Sequence, residues 1–376
     1  MRWPSGKASV CKTDIRGFDS RPHLFFGANI MQQNKDFPSI CVITSRFGEK
    51  LPHNFELWLH SCRYNPSIDF LFFTDLPVYT KKFPPNVRIV PFTLEQIRQK
   101  ASDILGFSAV LTEGYHLCNY RPMFGEIFHD YLVNYDYWGH CDNDMVLGDI
   151  RSFTEKYHLT DYDKFLPLGH LSLFRNVPAV NQAYQLDGAS RMDGTACTYR
   201  EVYSTNTLSY FDEELGIVSI MRKHHFKVFM KRIFADILPF YYRFIRAPHN
   251  YSSLEPLPKN YTRQTFYWEK GKVFGGHEEK GKIYQEEFVY LHFQKRPDRP
   301  LPFDAASINA FYITPSGYLA KTGEVSLQDI ISTNPYSWHK EIRDYAAYLR
   351  RNKIPQWFNK LRLVHYMRKM KKKFIK

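Results

Sequence analysis

Residues 135–150 read Tyr-Asp-Tyr-Trp-Gly-His-Cys-Asp-Asn-Asp-Met-Val-Leu-Gly-Asp-Ile, an aromatic strand that leads into two aspartates. Side chains two positions apart in an extended chain point the same way, so Asp142 and Asp144 are predicted to face one side and Asn143 the other. Carboxylates this close repel each other unless a proton or a cation lies between them. Mg²⁺ and Mn²⁺ prefer oxygen ligands and keep positions open for phosphates. The stretch therefore predicts a metal–diphosphate site at a strand end. The alternative is a polar turn, because Asp and Asn favour turns.

Apolar runs around this stretch alternate between the spacing of strands and that of helices. The predicted strands cover 40–45, 68–75 and 87–92, and predicted helices cover 55–62 and a segment from 94, where Thr93 and Gln96 form a capping box. This alternation is typical of an α/β domain with a mixed, mostly parallel sheet flanked by helices. Residues 264–274 predict an added β-hairpin.

Polar residues follow the predicted strands. Ser45, Asp75, Asp142 and Asp144 all lie at such strand ends. Because open α/β sheets bind ligands beyond the carboxyl ends of their strands, we expect these residues to share one edge with a bound nucleotide. Asp75 is predicted to contact the base or the ribose, and a cap on its own strand is the alternative.

The net charge is concentrated at the chain ends. The 376 residues carry a formal charge of +13. Residues 360–376 contain eight Lys or Arg and no acid, and residues 1–30 contain five basic and two acidic residues. The body of the chain is therefore nearly neutral, so a groove for a nucleic-acid backbone is not indicated, and we expect no nucleic-acid partner.

The six cysteines are scattered, and no C-x-x-C pair occurs. Cys41 and Cys141 lie in apolar runs, which is the pattern of reduced, buried thiols rather than of a disulfide framework or a zinc site. No apolar run reaches the roughly 18 residues of a membrane span, and no apolar signal segment opens the chain. These features predict a cytoplasmic protein.

A second polar cluster follows a later predicted strand, at Tyr290-Leu291-His292-Phe293-Gln294-Lys295-Arg296. With the aspartate pair, it makes the chain resemble glycosyltransferases of the GT-A fold. More closely, the chain resembles an uncharacterised bacterial family of GT-A-like proteins associated with surface-polysaccharide genes. The matching segments are 52–75, 118–125, 135–150, 169–176, 211–213 and 290–296.

The resemblance implies a GT-A-like (Rossmann-like) nucleotide-sugar transferase domain over 36–305 and does not extend to either end of the chain. Residues 1–35 show no usable periodicity, and we expect either a spurious segment ahead of a start at Met31 or a disordered tail. Residues 306–376 are predicted to form a C-terminal helical extension with a basic tail.

The resemblance also implies the reactants. The donor is a nucleotide-diphosphate sugar, most simply a UDP-sugar, the cofactor is Mn²⁺ or Mg²⁺, and the acceptor is a hydroxyl of a glycan or lipid-linked molecule. Carried over by position, Asp142 and Asp144 bind the metal and the donor, and His292 completes the metal site. An ordinary core histidine is the alternative for His292. The family's Cys-Asp-Phe-Lys-Pro reads Cys118-Asn119-Tyr120-Arg121-Pro122 here, which loses the acid and keeps the positive charge.

Basic residues near these segments suit the donor's phosphates. Arg121, Lys295 and Arg296 are predicted to bind diphosphate oxygens, the arginines by bidentate contacts. Solvated surface charge is the alternative. Residues 163–176 alternate around Gly169-His170 and predict another strand that crosses the site. Within it, Gly169 is predicted to let a sugar approach the backbone and His170 to bind its hydroxyls, with a strand bulge as the alternative.

Asp212 and Glu213 are the candidates for a general base that takes the acceptor's proton in an inverting reaction. The alternative is a pair of carboxylates favoured by the dipole of the following helix.

The end of the chain interleaves Lys and Arg with apolar residues, as in a basic amphipathic segment at an anionic membrane surface. A solvated helix end is the alternative. Peripheral contact with the inner face of the plasma membrane would suit a lipid-linked acceptor.

Taken together, the sequence predicts a metal-dependent glycosyltransferase of bacterial surface-polysaccharide assembly. The alternatives are a nucleotidyltransferase and a non-catalytic carbohydrate- or membrane-binding protein of the same fold. Ser45-Arg46-Phe47-Gly48 is too poor in Gly for the phosphate-binding loop of a nucleotidyltransferase, which argues against that class.

Overall fold

The computed structural model describes residues 37–48, 50–51, 54–77, 83–239, 241–247, 255–294 and 299–351, which fall within one unit of 35–376. The strands in these residues are β1 (Ile40–Arg46), β2 (Ile68–Thr74), β3 (Val87–Pro91), β4 (Tyr137–Cys141), β5 (Met145–Leu147), β6 (Lys164–Phe165), β7 (Leu171–Arg175), β8 (Ala189–Ser190), β9 (Ala196–Cys197), β10 (Val228–Phe229), β11 (Ala235–Asp236), β12 (Gln264–Glu269), β13 (Lys272–Glu279), β14 (Lys282–Phe288), β15 (Tyr290–His292), β16 (Ala310–Thr314) and β17 (Gly317–Ala320).

The α-helices in the same residues are α1 (Phe55–Arg63), α2 (Leu94–Leu105), α3 (Leu117–Tyr120), α4 (Phe124–Ile127), α5 (His129–Leu132), α6 (Ile150–Lys156), α7 (Pro178–Asn181), α8 (Tyr199–Tyr203), α9 (Ser219–Lys223), α10 (Leu327–Thr333) and α11 (Trp338–Arg351). Short 3₁₀ turns lie at Gly114–His116, Arg121–Met123, Leu159–Asp161 and Ala183–Gln185, and a π-helical turn lies at Glu214–Val218. Among these helices, none has the length and apolar character needed to cross a bilayer.

The central sheet has seven strands in the order β10-β6-β7-β4-β1-β2-β3. β1 runs parallel between β2 and β4, with Ile43 beside Leu71 on one side and His140 on the other. β7 runs antiparallel to both β4 and β6. The predicted mixed, mostly parallel sheet is therefore confirmed. Because β2 and β4 share one direction, Asp75 and Asp142 follow their strands at the same edge of the sheet.

β1 is buried on both faces, as expected for a central parallel strand. Ile43 joins one hydrophobic cluster together with Ile97 of α2. Val42 joins a second cluster together with Trp58 of α1. Neighbouring residues of β1 thus point to opposite layers, because a strand has a two-residue period.

Three polar side chains hold helix ends beside this sheet. The Thr93 hydroxyl accepts from the Gln96 backbone N–H at 3.1 Å, and the Gln96 side chain accepts from the Thr93 N–H at 2.8 Å. The predicted capping box of α2 is confirmed. After α1, buried Asn65 donates to Gly148 O at 2.9 Å and accepts from Ile150 N at 2.9 Å. This side chain holds the segment between β5 and α6 in place.

Three smaller sheets accompany the central sheet in the described residues, and one of them is the two-stranded pair of β8 and β9. The other two lie around the carboxyl edge of β4. In the first, β15 lies between β11, to which it is parallel, and β5, to which it is antiparallel. This pairing brings His292 beside both Asp236 and Met145. The second is an antiparallel sheet in the order β14-β13-β12-β16-β17. The predicted hairpin is present as β12 and β13.

Two segments differ from the prediction. Residues 163–176 form β6 and β7 with a turn between them, rather than one strand, because Leu166 adopts a left-handed backbone with φ 68°. Residues from 306 onward begin with strands β16 and β17, which pair with each other and, through β16, with β12 before α10 and α11 follow. The N-terminal extension and the basic tail after residue 351 lie outside the described residues, so their predictions stay predictions.

The cysteines in the described residues are all free thiols, as the sequence predicts. Burial raises the pKa of Cys141 to about 12, so this thiol stays protonated at neutral pH.

Candidate functional site

Asp142 and Asp144 lie in the short connection between β4 and β5, not in an extended strand. Two backbone hydrogen bonds hold this connection. The Asp142 N–H donates to His170 O at 2.8 Å, and the Phe293 N–H donates to Asp144 O at 3.2 Å. The bend is therefore fixed by the turn before β7 and by the end of β15, two segments far away in sequence.

His292 lies beside the two aspartates. Its Nε2 is 3.7 Å from Asp142 Oδ2 and 3.5 Å from Asp144 Oδ1. Burial on its own lowers the pKa of His292, but Asp144 and Asp236 outweigh it and raise the pKa well above the usual value. The structure thus brings together the three residues that the resemblance implies as metal ligands.

The spacing of these ligand atoms fits one divalent ion. One oxygen of Asp142, one of Asp144 and one ring nitrogen of His292 all lie within 4.8 Å of one another. Ligands that share an octahedral ion with bonds of about 2.1 Å lie roughly 3–4 Å apart. The side chain of Asp144 is 40% exposed and that of Asp142 is 23% exposed, so the site opens to solvent. The donor set therefore suits a hard ion that also binds an outside ligand.

Asp236 is a member of this site that the sequence reasoning missed. Its Oδ1 lies 3.0 Å from His292 Nδ1, and its Oδ2 accepts from Gln294 Nε2 at 2.6 Å. Burial favours the protonated acid, yet the neighbouring His170 and His292 lower the pKa of Asp236. The apolar run 233–237 around this acid was the available signal, but a two-residue strand is too short to show a period.

Arg121 connects the site to a second acidic group. Its guanidinium forms ion pairs with Asp142 and, at 2.9 Å, with Asp212, and it donates to Gly169 O at 2.8 Å. Burial alone lowers the pKa of Arg121, but the two carboxylates outweigh it and raise the pKa. Arg121, Asp142, Gly169 and Asp212 therefore form one contact network.

Asp212 is 1% exposed, and burial raises its pKa although Arg121 acts in the opposite direction. Glu213, the next residue, is partly exposed. Gly169 packs against Asp212: a Cβ there would lie 2.4 Å from Asp212 Oδ2 and 3.0 Å from Arg121 Nη1. In this structure Gly169 makes room for the ion pair.

His170 lies under His292 and not in a strand. The two rings have centroids 3.7 Å apart at an interplanar angle of 33°. Burial, together with the charge on His292, lowers the pKa of His170 to about 3, so this ring is neutral at neutral pH. His170, Asp236 and His292 also form a second group whose ligand atoms lie within 4.8 Å of one another.

Three predicted site residues remain, Asp75, Lys295 and Arg296. Asp75 is exposed at the end of β2, where its Oδ1 accepts from Gly48 N at 3.3 Å. Lys295 and Arg296 lie outside the described residues, so their predicted contact with a diphosphate stays a prediction.

A buried lysine holds the turn that carries Gly169 and His170. Lys164 is fully buried, and its Nζ donates to Leu166 O at 2.7 Å and to the Ser172 hydroxyl. Burial lowers the pKa of Lys164 to about 7, although Asp212 and Glu213 act in the opposite direction.

We expect this lysine to make stability depend on pH. In the unfolded chain Lys164 has its ordinary pKa, so between about pH 7 and pH 10 the unfolded state binds more protons than the folded state, and stability rises with pH. Urea unfolding at pH 7 and pH 9 should show that this rise is smaller by up to about 2 kcal/mol in Lys164→Met than in the wild type. Lys156→Met, which changes an exposed lysine, is the control and should leave the rise unchanged. Equal rises in Lys164→Met and the wild type would contradict the assignment.

A family model described as "Family of unknown function (DUF6625)" matches residues 42–322, about three quarters of the chain. The chain belongs to this family. The match begins in β1 and ends just after β17, so it includes every described site residue of this DUF6625 protein, and it passes the boundary predicted at residue 305.

Solved glycosyltransferase structures are similar to part of this DUF6625 protein. The crystal structure of galactosyltransferase LgtC with donor and acceptor sugar analogs is 12% identical over 53% of this chain and 76% of that chain, with a TM-score of 0.30. The apo structure of the bifunctional glycosyltransferase WbbM is 12% identical over 50% of this chain and 33% of that chain, with a TM-score of 0.24. No curated protein matches the chain. At these identities and TM-scores, the likenesses carry no conclusion about substrates or mechanism.

Proposed function

We propose that this protein is a metal-dependent glycosyltransferase. It transfers a sugar from a nucleotide-diphosphate donor, a UDP-sugar in the first place, to a hydroxyl of a glycan or lipid-linked acceptor in bacterial surface-polysaccharide assembly. The observation that carries the proposal is the convergence of Asp142, Asp144 and His292 at the carboxyl edge of a mostly parallel sheet. Ligands of such sheets bind at this edge.

Asp142, Asp144 and His292 would hold Mn²⁺ or Mg²⁺, and the bound ion would neutralise the negative charge that the departing diphosphate gains. Asp144 is the most exposed of the three side chains, so it lies on the side from which a donor arrives. The neutral His170 ring under His292 adds no charge that would repel a cation. Its predicted contact with a sugar hydroxyl remains part of the proposal.

Arg121 supplies a fixed positive charge next to the proposed ion. Its ion pairs with Asp142 and Asp212 hold the guanidinium in one place, so it reaches a diphosphate without the cost of ordering a free side chain. Lys295 and Arg296 would add to this charge, and Asp75 would contact the base or ribose along the same edge. Gly169 keeps the backbone clear of the ion pair.

The two predicted general bases, Asp212 and Glu213, differ in how accessible they are to an acceptor hydroxyl. A base must reach the acceptor hydroxyl directly or through one water. Asp212 is buried and paired with Arg121, so we assign it the role of positioning Arg121. Partly exposed Glu213 is then the base that we propose for an inverting reaction.

A panel of nucleoside diphosphates with and without Mn²⁺ tests the proposal. We expect at least one of them, with UDP as the first candidate, to raise the melting temperature only when Mn²⁺ is present. A ligand at about 100 times its dissociation constant stabilises the folded state by about 2.7 kcal/mol. Release of UDP from UDP-sugars, measured with and without glycan acceptors, then tests turnover.

The outcomes separate the proposed classes. Stabilisation without turnover for any donor and acceptor would favour the non-catalytic carbohydrate-binding alternative. Absence of stabilisation by every nucleoside diphosphate with Mn²⁺ would contradict the transferase. Peripheral membrane contact through the basic tail is a separate proposal, which binding of the full chain to anionic vesicles tests.

A further inference from the structure

The buried carboxylate of Asp236 contacts the proposed metal-binding His292 at Nδ1, the ring nitrogen that does not face Asp142 and Asp144. Asp236 and His292 lie side by side on the parallel strands β11 and β15, and the Ile237 N–H donates to His292 O at 3.1 Å. The two side chains meet on the same face of this pair, with Asp236 Oδ1 at 3.0 Å from His292 Nδ1. The backbone pairing therefore sets the side-chain contact.

We infer that Asp236 is a positioning residue that turns the Nε2 of His292 toward Asp142 and Asp144. This inference rests on the proposed metal site. An imidazole nitrogen binds a metal only when it carries no proton. A hydrogen bond donated by the other ring nitrogen keeps the proton there and leaves the first nitrogen to bind the metal. With Nδ1 donating to Asp236, Nε2 faces the two aspartates, and its lone pair becomes available to an ion that replaces the Nε2 proton. The carboxylate also makes the ring a stronger ligand.

The second oxygen of Asp236 is also held. Gln294 Nε2 donates to Asp236 Oδ2 at 2.6 Å, and Gln294 itself has a left-handed backbone with φ 53°, just after β15. Asp236 is 3% exposed, and each of its two carboxylate oxygens has a hydrogen-bond partner. A carboxylate fixed at both oxygens cannot rotate, so the histidine ring keeps one orientation.

The second possible ligand group, His170, Asp236 and His292, would give Asp236 a different role, as a direct ligand. All three of its side chains are buried, at 9%, 3% and 6% exposure. An ion there would have no open face for an outside ligand, whereas Asp144 is 40% exposed. The geometry therefore favours an ion at Asp142 and Asp144, with Asp236 behind the histidine.

Binding of Mn²⁺ alone, measured by electron paramagnetic resonance on the full chain, tests this role. We expect Asp236→Ala to raise the dissociation constant of Mn²⁺ by roughly 10- to 100-fold. Asp236→Asn keeps an oxygen that accepts from Nδ1 but loses the charge, so its dissociation constant should lie between those of Asp236→Ala and the wild type. This partial rescue by the conservative variant is not expected from general damage to the fold.

Asp344→Asn is the matched control. Asp344 is a buried carboxylate on α11 that accepts from Tyr242 N at 2.7 Å. Its loss should lower the melting temperature and leave the dissociation constant of Mn²⁺ unchanged. If Asp236→Ala does not fold, Asp236→Asn provides the test, with the dissociation constant of Mn²⁺ expected to rise above that of the wild type.

Three results would overturn the inference. Dissociation constants within about twofold of the wild type in both Asp236 variants would leave no positioning role. Complete loss of Mn²⁺ binding in both would make Asp236 a ligand. A wild-type protein that binds no Mn²⁺ would remove the proposed metal dependence as well, so failure of the inference alone is recognisable by normal wild-type binding.

Discussion

Asp144→Ala is expected to abolish the stabilisation that UDP and Mn²⁺ together give the wild type. Saturating ligand that adds about 2.7 kcal/mol should raise the melting temperature of a domain this large by roughly 4 °C. The variant should show a rise of less than about 1 °C and should lose at least about a hundredfold in transfer rate. Asp144 is the most exposed of the three proposed ligands, and its removal leaves only Asp142 and His292 to hold the ion.

The fold should tolerate this change. Asp144 interacts with His292 at 3.5 Å, but its side chain is 40% exposed, so the pair contributes less than about 1 kcal/mol. The ligand-free melting temperature should therefore stay close to that of the wild type. Asp130→Ala, which removes another exposed carboxylate, is the control and should keep the full response to UDP and Mn²⁺. An unchanged response in Asp144→Ala would place the ion elsewhere.

Local sequence signals predicted β1, β2, β3 and β4 of the central sheet. The apolar run 40–45 became β1 because it is buried on both faces, and Thr93 with Gln96 capped α2 as the short-range pattern predicts. Each of these features depends on residues within a few positions of one another. Patterns that involve only neighbouring residues can be recognised from the sequence alone.

Features that depend on contacts between residues far apart in sequence were harder to predict. Asp236 and His292 are 56 positions apart, and only the pairing of two very short strands brings them together. The single strand predicted through Gly169 and His170 is wrong because the alternation of apolar and polar residues continues across a turn. The side chains of Lys164 and Ser172 stabilise this turn by hydrogen bonds to its carbonyl oxygens. In the same way, no local pattern shows that Arg121 pairs with Asp212.

The predicted metal triad is an intermediate case. Asp142 and Asp144 were expected to converge from the two-residue period of a strand, but they converge across a bend instead. His292 entered through the family resemblance, and the structure places it beside both. The grouping agrees with the expectation, and metal binding by it stays a prediction.

Gly169→Ala is expected to destabilise the fold and disturb the site together. The added Cβ would lie 2.4 Å from Asp212 Oδ2 and 3.0 Å from Arg121 Nη1, so the buried ion pair must move. Overpacking and disruption of a buried pair each cost about 1–3 kcal/mol or more, so urea unfolding should show a loss of about 3 kcal/mol. Gly114→Ala is the control, because its Cβ would meet Phe47 at an ordinary 3.5 Å.

A double-mutant cycle separates this collision from a general cost of alanine at the turn. In an Asp212→Ala background the nearest atom to the new Cβ is gone, and Arg121 can shift toward its remaining partner, Asp142. Gly169→Ala should then cost at least about 1 kcal/mol less than it does in the wild type, because residues in contact show coupling energies of this size. Additive costs would mean that Gly169 acts through the backbone alone. Since the same ion pair holds the arginine beside the proposed metal, the loss of stability in Gly169→Ala should be accompanied by weaker binding of UDP in the presence of Mn²⁺.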